Sequence, residues 1–321
     1  MKFWEYAEKH LDRFKFPIVN DTPVPSVPIH VPPVLFEAKD FIVTNIDKTY
    51  KFHPSIERFL YPVMDDIKSF FKQHFYNGNL VRLEDIQGAR IEVSEVYYFE
   101  HRTIHHDPDR KYYKKGPISI RDMFEERMMY EVERGILKTS YFPNGLGMNV
   151  FVITEDGYLV LSKRSKDVSV EKKKYAPTFS TGIPYYHVPG QIENLIERTL
   201  EAALLREFNY PVFKNDKFFY LGTARGLYTM GCPDMYFIAF INNTLDYFSE
   251  HANFETKSFA AVRLVDKPWP LKEKADRIVK GILETLESID RNEASVQLYV
   301  NAALANTLPE VLKKGKVKTQ P

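Results

Sequence analysis

The chain has a single cysteine, Cys232, in 321 residues. One thiol excludes an internal disulfide framework and suits a reducing compartment. A charge of one sign is also missing. Lys and Arg total 44 against 43 Asp and Glu, a net charge of +1, so nothing in the bulk electrostatics favours nucleic acid or an acidic partner. No run is long and apolar enough for a membrane span. The first residues, Met1-Lys2-Phe3-Trp4-Glu5-Tyr6, mix acids and bases with aromatics and lack a signal-like apolar region. The expectation is a cytoplasmic protein with no membrane association. Internal repeats and low-complexity tracts are absent too. What the chain does have is apolar and aromatic side chains, 44% and 14%, enough for a full core and against disorder.

The most informative stretch runs from Asn144 to Val212. Met148-Asn149-Val150-Phe151-Val152-Ile153-Thr154 reads as a strand. Glu155-Asp156-Gly157 then supplies an Asp-Gly turn, a good short-range hairpin signal. A second apolar strand, Tyr158 to Leu161, closes in Lys163-Arg164-Ser165. After a charged loop comes Phe179-Ser180-Thr181-Gly182. A helix follows from about Gln191 to Phe208, ending in Ala202-Ala203-Leu204-Leu205-Arg206-Glu207-Phe208. Alternating strands and helices imply a mixed sheet between helical layers.

These features together resemble the Nudix superfamily, whose members split diphosphates linked to another moiety with the help of a divalent metal. The apolar strand, Asp-Gly turn and Lys-Arg-Ser strand end match. So does the serine- or proline-glycine step after a loop, and Ala202-Ala203-Leu204-Leu205-Arg206-Glu207-Phe208 is close to the Ala-Ala-x-Arg-Glu-apolar signature of the Nudix box. The pattern is most similar to the branch that contains the UDP-sugar hydrolases, which also carries a long upstream half. The resemblance implies an α/β/α sandwich with a mixed sheet in 141–265. To this the chain adds a helix and proline-rich arm in 1–35, an α+β region in 36–140 and a helical segment in 266–321. It also implies Glu207 as metal ligand and catalytic carboxylate, Arg206 orienting it, magnesium as the ion, and a nucleotide-type substrate held by Lys163, Arg164, Gly182 and Arg225.

The chain departs from the box at two places that matter. The family's two later glutamates are replaced by Tyr210 and Pro211. A phenol is a poor magnesium ligand, and proline offers no side-chain ligand and ends the helix. Arg206 also stands farther from Gly182 than the pattern has it, so an insertion holding Tyr185, Tyr186 and His187 is expected. Glu193, Glu197 and Glu201 cannot substitute. Glu193 and Glu197 lie about 21 and 15 Å along the axis from Glu207, and Glu201 points roughly 120° away. The expectation is therefore a Nudix-fold protein that binds a nucleoside diphosphate derivative, with hydrolysis lost or weakened. The alternatives are a divergent hydrolase of a nucleoside diphosphate sugar that recruits acids from elsewhere, and an interaction protein that keeps only the fold.

Outside this unit, Phe3, Ala7, Leu11 and Phe14 mark a short amphipathic helix that docks on the body, a protein partner being the alternative. Pro17 to Pro33 reads as an extended arm on the surface or a linker. Lys39 to Lys51 reads as extended, Pro54 to Phe75 as a helix broken at Pro62, and Leu80 to Ile86 and Ala89 to Phe99 as strands. Met123 to Leu137 reads as a helix. His101-Arg102-Thr103-Ile104-His105-His106-Asp107 offers metal-type side chains, but they run consecutively into Pro108 without a helical His-Glu-x-x-His spacing. The segment is read as a charged loop, with a metal site as the alternative. Later strands are expected at Phe218–Leu221, Asp234–Ile241 and Ser258–Val265, and helices at Leu271–Ile289 and Ser295–Leu312.

Overall fold

The computed structural model describes residues 2–65, 67–69, 78–106, 108–111, 118–164, 173–186, 192–251 and 258–314. His187, Gly190 (the other glycine from which the Nudix spacing to Arg206 could be counted), the end of the 54–75 helix and the tail from 315 lie outside them. No helix among the described residues is long and apolar enough to cross a membrane.

The chain forms a mixed α/β structure, as the alternation of elements implied. Its main sheet runs in the order Ser258–Arg263, Tyr158–Lys163, Gly147–Ile153, Cys232–Phe240, Lys217–Gly226, Ser26–His30. Gly147–Ile153 lies parallel to Cys232–Phe240, and its other pairings are antiparallel. On that other side the strand is shared. Residues 147–150 pair with Phe179–Gly182, and Val152 and Ile153 pair with Val160 and Leu159. Thr178 fills the fork, accepting from the Val152 N–H at 2.8 Å and donating to the Val160 carbonyl.

Two apolar layers sandwich the sheet, because successive strand side chains point to opposite faces. Phe151 and Ile153 face one layer, with the helices Leu271–Ser288 and Val296–Ala305. Val150 and Val152 face the other, with the helix Leu195–Phe208. Burial on both faces explains why Gly147–Ile153 is almost continuously apolar. The turn matches its sequence signal: Gly157 sits at φ +82°, and a Cβ there would lie 1.8 Å from the Val265 carbonyl oxygen.

A second sheet stitches the upstream half to this core. Ile42–Thr49 lies parallel to Arg90–Tyr97, which lies antiparallel to Asn79–Gln87. Backbone bonds Val81 N–H to Ile183 O (2.9 Å), Leu146 N–H to Val81 O (2.8 Å) and Leu83 N–H to Asn144 O (3.0 Å) tie it to the entrance of the central strand. Val81, Leu83, Ile91 and Val93 share the apolar layer of the Leu195–Phe208 helix.

Three segments differ from their sequence reading. The proline-rich stretch is neither arm nor linker. Ser26–His30 is the edge strand beside Lys217–Gly226, where Pro28 costs no interior ladder bond. The first helix spans only Phe3–Glu8, and buries Phe3, Trp4, Tyr6 and Ala7 against the body. The histidine segment is not a loop. Arg90–Tyr97 runs straight into a helix, Tyr98–His101, that widens into a π-helical turn, Arg102–His106. Thr103 Oγ1 donates to the Phe99 carbonyl at 2.8 Å, and Phe99 and Ile104 are buried in the upstream apolar cluster. A five-residue hydrogen-bond step leaves no 3.6-residue periodicity to read.

Candidate functional site

A cavity of about 540 Å³ opens where the central strand begins. Its floor is Gly147, Met148 and Asn149, with Cys232 and Asp234 from the parallel neighbour and Ser180, Thr181 and Gly182 from the antiparallel one. His101, His105 and His106 close one wall, and Arg164 and Lys174 bring positive charge to another. The stitching of the second sheet produces this arrangement, because it delivers the end of Arg90–Tyr97 to the start of Gly147–Ile153.

The floor is polar and close-fitted. Ser180 Oγ donates to Asn149 Oδ1 at 2.7 Å. The Asp234 carboxyl stands against Gly147, where a Cβ would come within 2.2 Å of it. Burial raises the Asp234 carboxyl to about 7, against the pull of a hydrogen bond with Asn149. The histidine wall is neutral. Burial, then the Arg102 charge, pushes His101 down to about 4, and burial holds His105 and His106 well below their ordinary value. His101 Nε2 and His106 Nε2 are 3.2 Å apart, and His105 Nδ1 reaches the Thr229 carbonyl at 2.9 Å. Arg121, also on the lining, is committed to Asp109 at 2.6 and 3.1 Å and to the Tyr228 carbonyl at 2.7 Å.

The structure brings some of the sequence-predicted residues together here and places others elsewhere. Gly182 and Arg164 line the cavity. Arg206 reaches its edge, with Nη2 3.4 Å from Thr181 Oγ1 and 2.9 Å from Glu207 Oε1. Glu207 is only 5% exposed, because it falls on the inward stripe of its helix with Leu200, Ala203 and Leu204. Lys163 lies off the cavity, over the Tyr175 ring and 3.9 Å from Glu293. Arg225 is expected at the phosphates, but it is fully buried. Its guanidinium donates to the Gly231 and Ile136 carbonyls at 2.8 Å each and to Asn144 Oδ1 at 3.4 Å.

The Leu195–Phe208 helix offers a poor magnesium site. Tyr210, at the position of a family glutamate, is fully buried, and its hydroxyl donates to Asp216 at 2.8 Å. Asp216 in turn accepts from the backbone N–H groups of Phe213 and Asn242. Glu197 and Glu201 line a separate groove with Glu37, Lys39 and Lys217, and Glu193 is exposed. Among the described residues, the helix therefore offers one carboxylate near the cavity edge, Glu207, which is paired with Arg206, where magnesium normally calls for several oxygen ligands. Sequence reasoning missed Cys232, Asp234 and the histidine wall as one constellation. The alternation of Cys232 and Asp234 on one strand face was the available signal.

No family model matches the chain, and no curated protein does. Solved structures are similar in part. DR0079 of Deinococcus radiodurans is 10% identical with a TM-score of 0.31, over 53% of this chain and 82% of its own. A Nudix-family hydrolase from Clostridium perfringens is 13% identical with a TM-score of 0.26, over 51% and 98%. A bifunctional NMN adenylyltransferase/ADP ribose pyrophosphatase from Francisella tularensis is 14% identical with a TM-score of 0.28, over 59% and 48%. Likeness at this level carries no argument for an activity.

Proposed function

We propose that the cavity binds a nucleoside diphosphate derivative, and that metal-dependent hydrolysis from the box helix is lost or weakened. The observation that carries this reading is a contrast. A cavity of about 540 Å³ has Arg164, Lys174, Ser180 and Thr181 on its lining, while the box helix brings up Glu207 alone, buried and tied to Arg206. The volume falls within the usual range for small-molecule sites. Arg164 suits bidentate phosphate recognition, and its Nε is buried without a hydrogen-bond partner among the described residues. One carboxylate can hold magnesium weakly if the ligand's own phosphates complete the shell. That suits binding better than turnover.

A thermal-shift screen against nucleoside diphosphate sugars, ADP-ribose and dinucleotides, with and without magnesium, tests this reading. A ligand at a hundredfold excess over its dissociation constant adds about 2.7 kcal/mol of apparent stability. The expected result is a shift that Arg164→Ala removes, without phosphate release. Phosphate release abolished by Glu207→Gln would establish the divergent hydrolase instead. If none of these compounds shifts the transition, the chain is an interaction protein on this fold.

A further inference from the structure

We propose that His101, His105 and Cys232 bind one zinc-class transition-metal ion in the cavity wall. A ring nitrogen of each histidine and the Cys232 sulfur all lie within 4.8 Å of one another, and all three residues are buried. A zinc tetrahedron has edges of about 3.5 Å, so side-chain rotation of roughly an ångström closes the set.

Two further observations point to an ion rather than to ordinary packing. His101 Nδ1 and His105 Nε2 are buried and have no hydrogen-bond partner among the described residues. An imidazole nitrogen left this way costs stability unless something occupies it. In addition, His105 already has the outer support of a metal ligand. Its Nδ1–H donates to the Thr229 carbonyl at 2.9 Å, which fixes the tautomer and leaves Nε2 as the lone-pair donor. Gly145 makes room for the set. A Cβ there would fall 2.3 Å from His101 Nδ1, and the Gly145 carbonyl lies 3.6 Å from Cys232 Sγ.

The donor chemistry selects the ion. Two imidazoles and a thiolate favour zinc or cobalt over magnesium, which takes oxygen ligands. On binding, Cys232 releases its thiol proton to solvent and the sulfur becomes the ligand. Three protein ligands leave a fourth position, and all three residues line the cavity, so that position is available to water or to an oxygen of a bound molecule. The proposal does not depend on the nucleotide reading, since the ion can be measured with no other ligand present.

The test loads purified full-length protein with zinc or cobalt(II), removes excess by dialysis and counts metal by mass spectrometry. The expected result is on the order of one ion per chain, with a sulfur-to-cobalt charge-transfer band in the cobalt form. Cys232→Ser should abolish that band, and His105→Ala should weaken zinc binding roughly tenfold or more. Glu207→Gln should change neither. Circular dichroism checks that each variant is folded, and the wild-type cobalt spectrum needs no variant at all. Folded wild-type protein that retains only substoichiometric metal overturns the proposal. So does cobalt bound without the sulfur band, or metal lost with Glu207→Gln and kept with Cys232→Ser.

Discussion

At the scale of single residues, Tyr210 and Arg225 separate what a motif suggests from what a position allows. Tyr210 stands where the Nudix pattern that this stretch resembles has a glutamate, so introducing a carboxylate looks like a repair. The structure gives the opposite expectation. The side chain is fully buried among Phe213, Tyr247 and Phe248, and its hydroxyl serves Asp216. Tyr210→Glu would place a carboxylate beside Asp216 in an apolar layer, at a cost of about 3 kcal/mol or more. Urea unfolding should show that loss, and no hydrolysis should return. Arg225→Met should also cost about 3 kcal/mol, because it strands the Gly231 and Ile136 carbonyls. Arg164→Ala, at the cavity, should cost no more than about 0.5 kcal/mol while removing the ligand-dependent thermal shift. Paired unfolding and ligand-shift measurements on the two arginines distinguish the structural cation from the binding one.

At the scale of elements, the clearest local device is the start of the helix Ile120–Glu133. Ser119 Oγ accepts from the Asp122 N–H at 3.2 Å, and the Ser119 N–H donates to Asp122 Oδ2 at 2.7 Å. This capping box starts the helix three residues before the Met123 boundary that apolar spacing alone implied. Ser119→Ala should cost about 1 kcal/mol in denaturant unfolding at neutral pH. The pH dependence has a definite sign. The hydrogen bond from Lys111, followed by the Ser119 N–H, holds Asp122 at about 2, below its ordinary 3.8. Its contribution is present above 3.8 and lost as pH falls towards 2. The difference between wild type and Asp122→Asn should therefore shrink across that window in acid titrations followed by circular dichroism. By contrast, the Asp156-Gly157 hairpin and the buried strand Gly147–Ile153 were legible, because a turn dipeptide and a continuous apolar run are local signals. The helix carrying the histidines was not, because its π-helical turn is held by Thr103 and by distant core contacts.

At the scale of the whole molecule, residues 2–30 are anchored to the body by buried side chains and strand pairing. Phe3 packs on Tyr299 with ring centroids 5.3 Å apart, Asn20 Nδ2 donates to the Leu283 carbonyl at 2.8 Å, and Val27 pairs with Arg225. Deleting residues 1–30 would remove buried Phe3, Trp4, Val19 and Val24 from the apolar layer they fill and expose the edge of Lys217–Gly226. Each lost apolar side chain is worth about 1.5–3 kcal/mol, and a bare edge invites association. The truncated protein should unfold at a much lower temperature than the full chain or self-associate, as thermal unfolding and size-exclusion chromatography would show. A truncation as stable and as dispersed as the full chain would mean that this segment is peripheral.

The mixed α/β class, the central hairpin, the Arg206–Glu207 pair and the absence of carboxylates at 210 and 211 were legible along the chain. Each follows from residues adjacent in the chain or from their periodicity. Which side chains meet was set by the three-dimensional fold. It buried Arg225, took Lys163 away from the cavity, turned Glu207 inward, and set His101 and His105 beside Cys232 across more than a hundred residues of chain. The physical reason is that strand pairing and apolar burial fix those distances. The backbone bonds joining Val81 and Leu83 to residues 144–146 and 183 draw the upstream helix onto the start of the central strand, and no local pattern in either segment encodes that meeting.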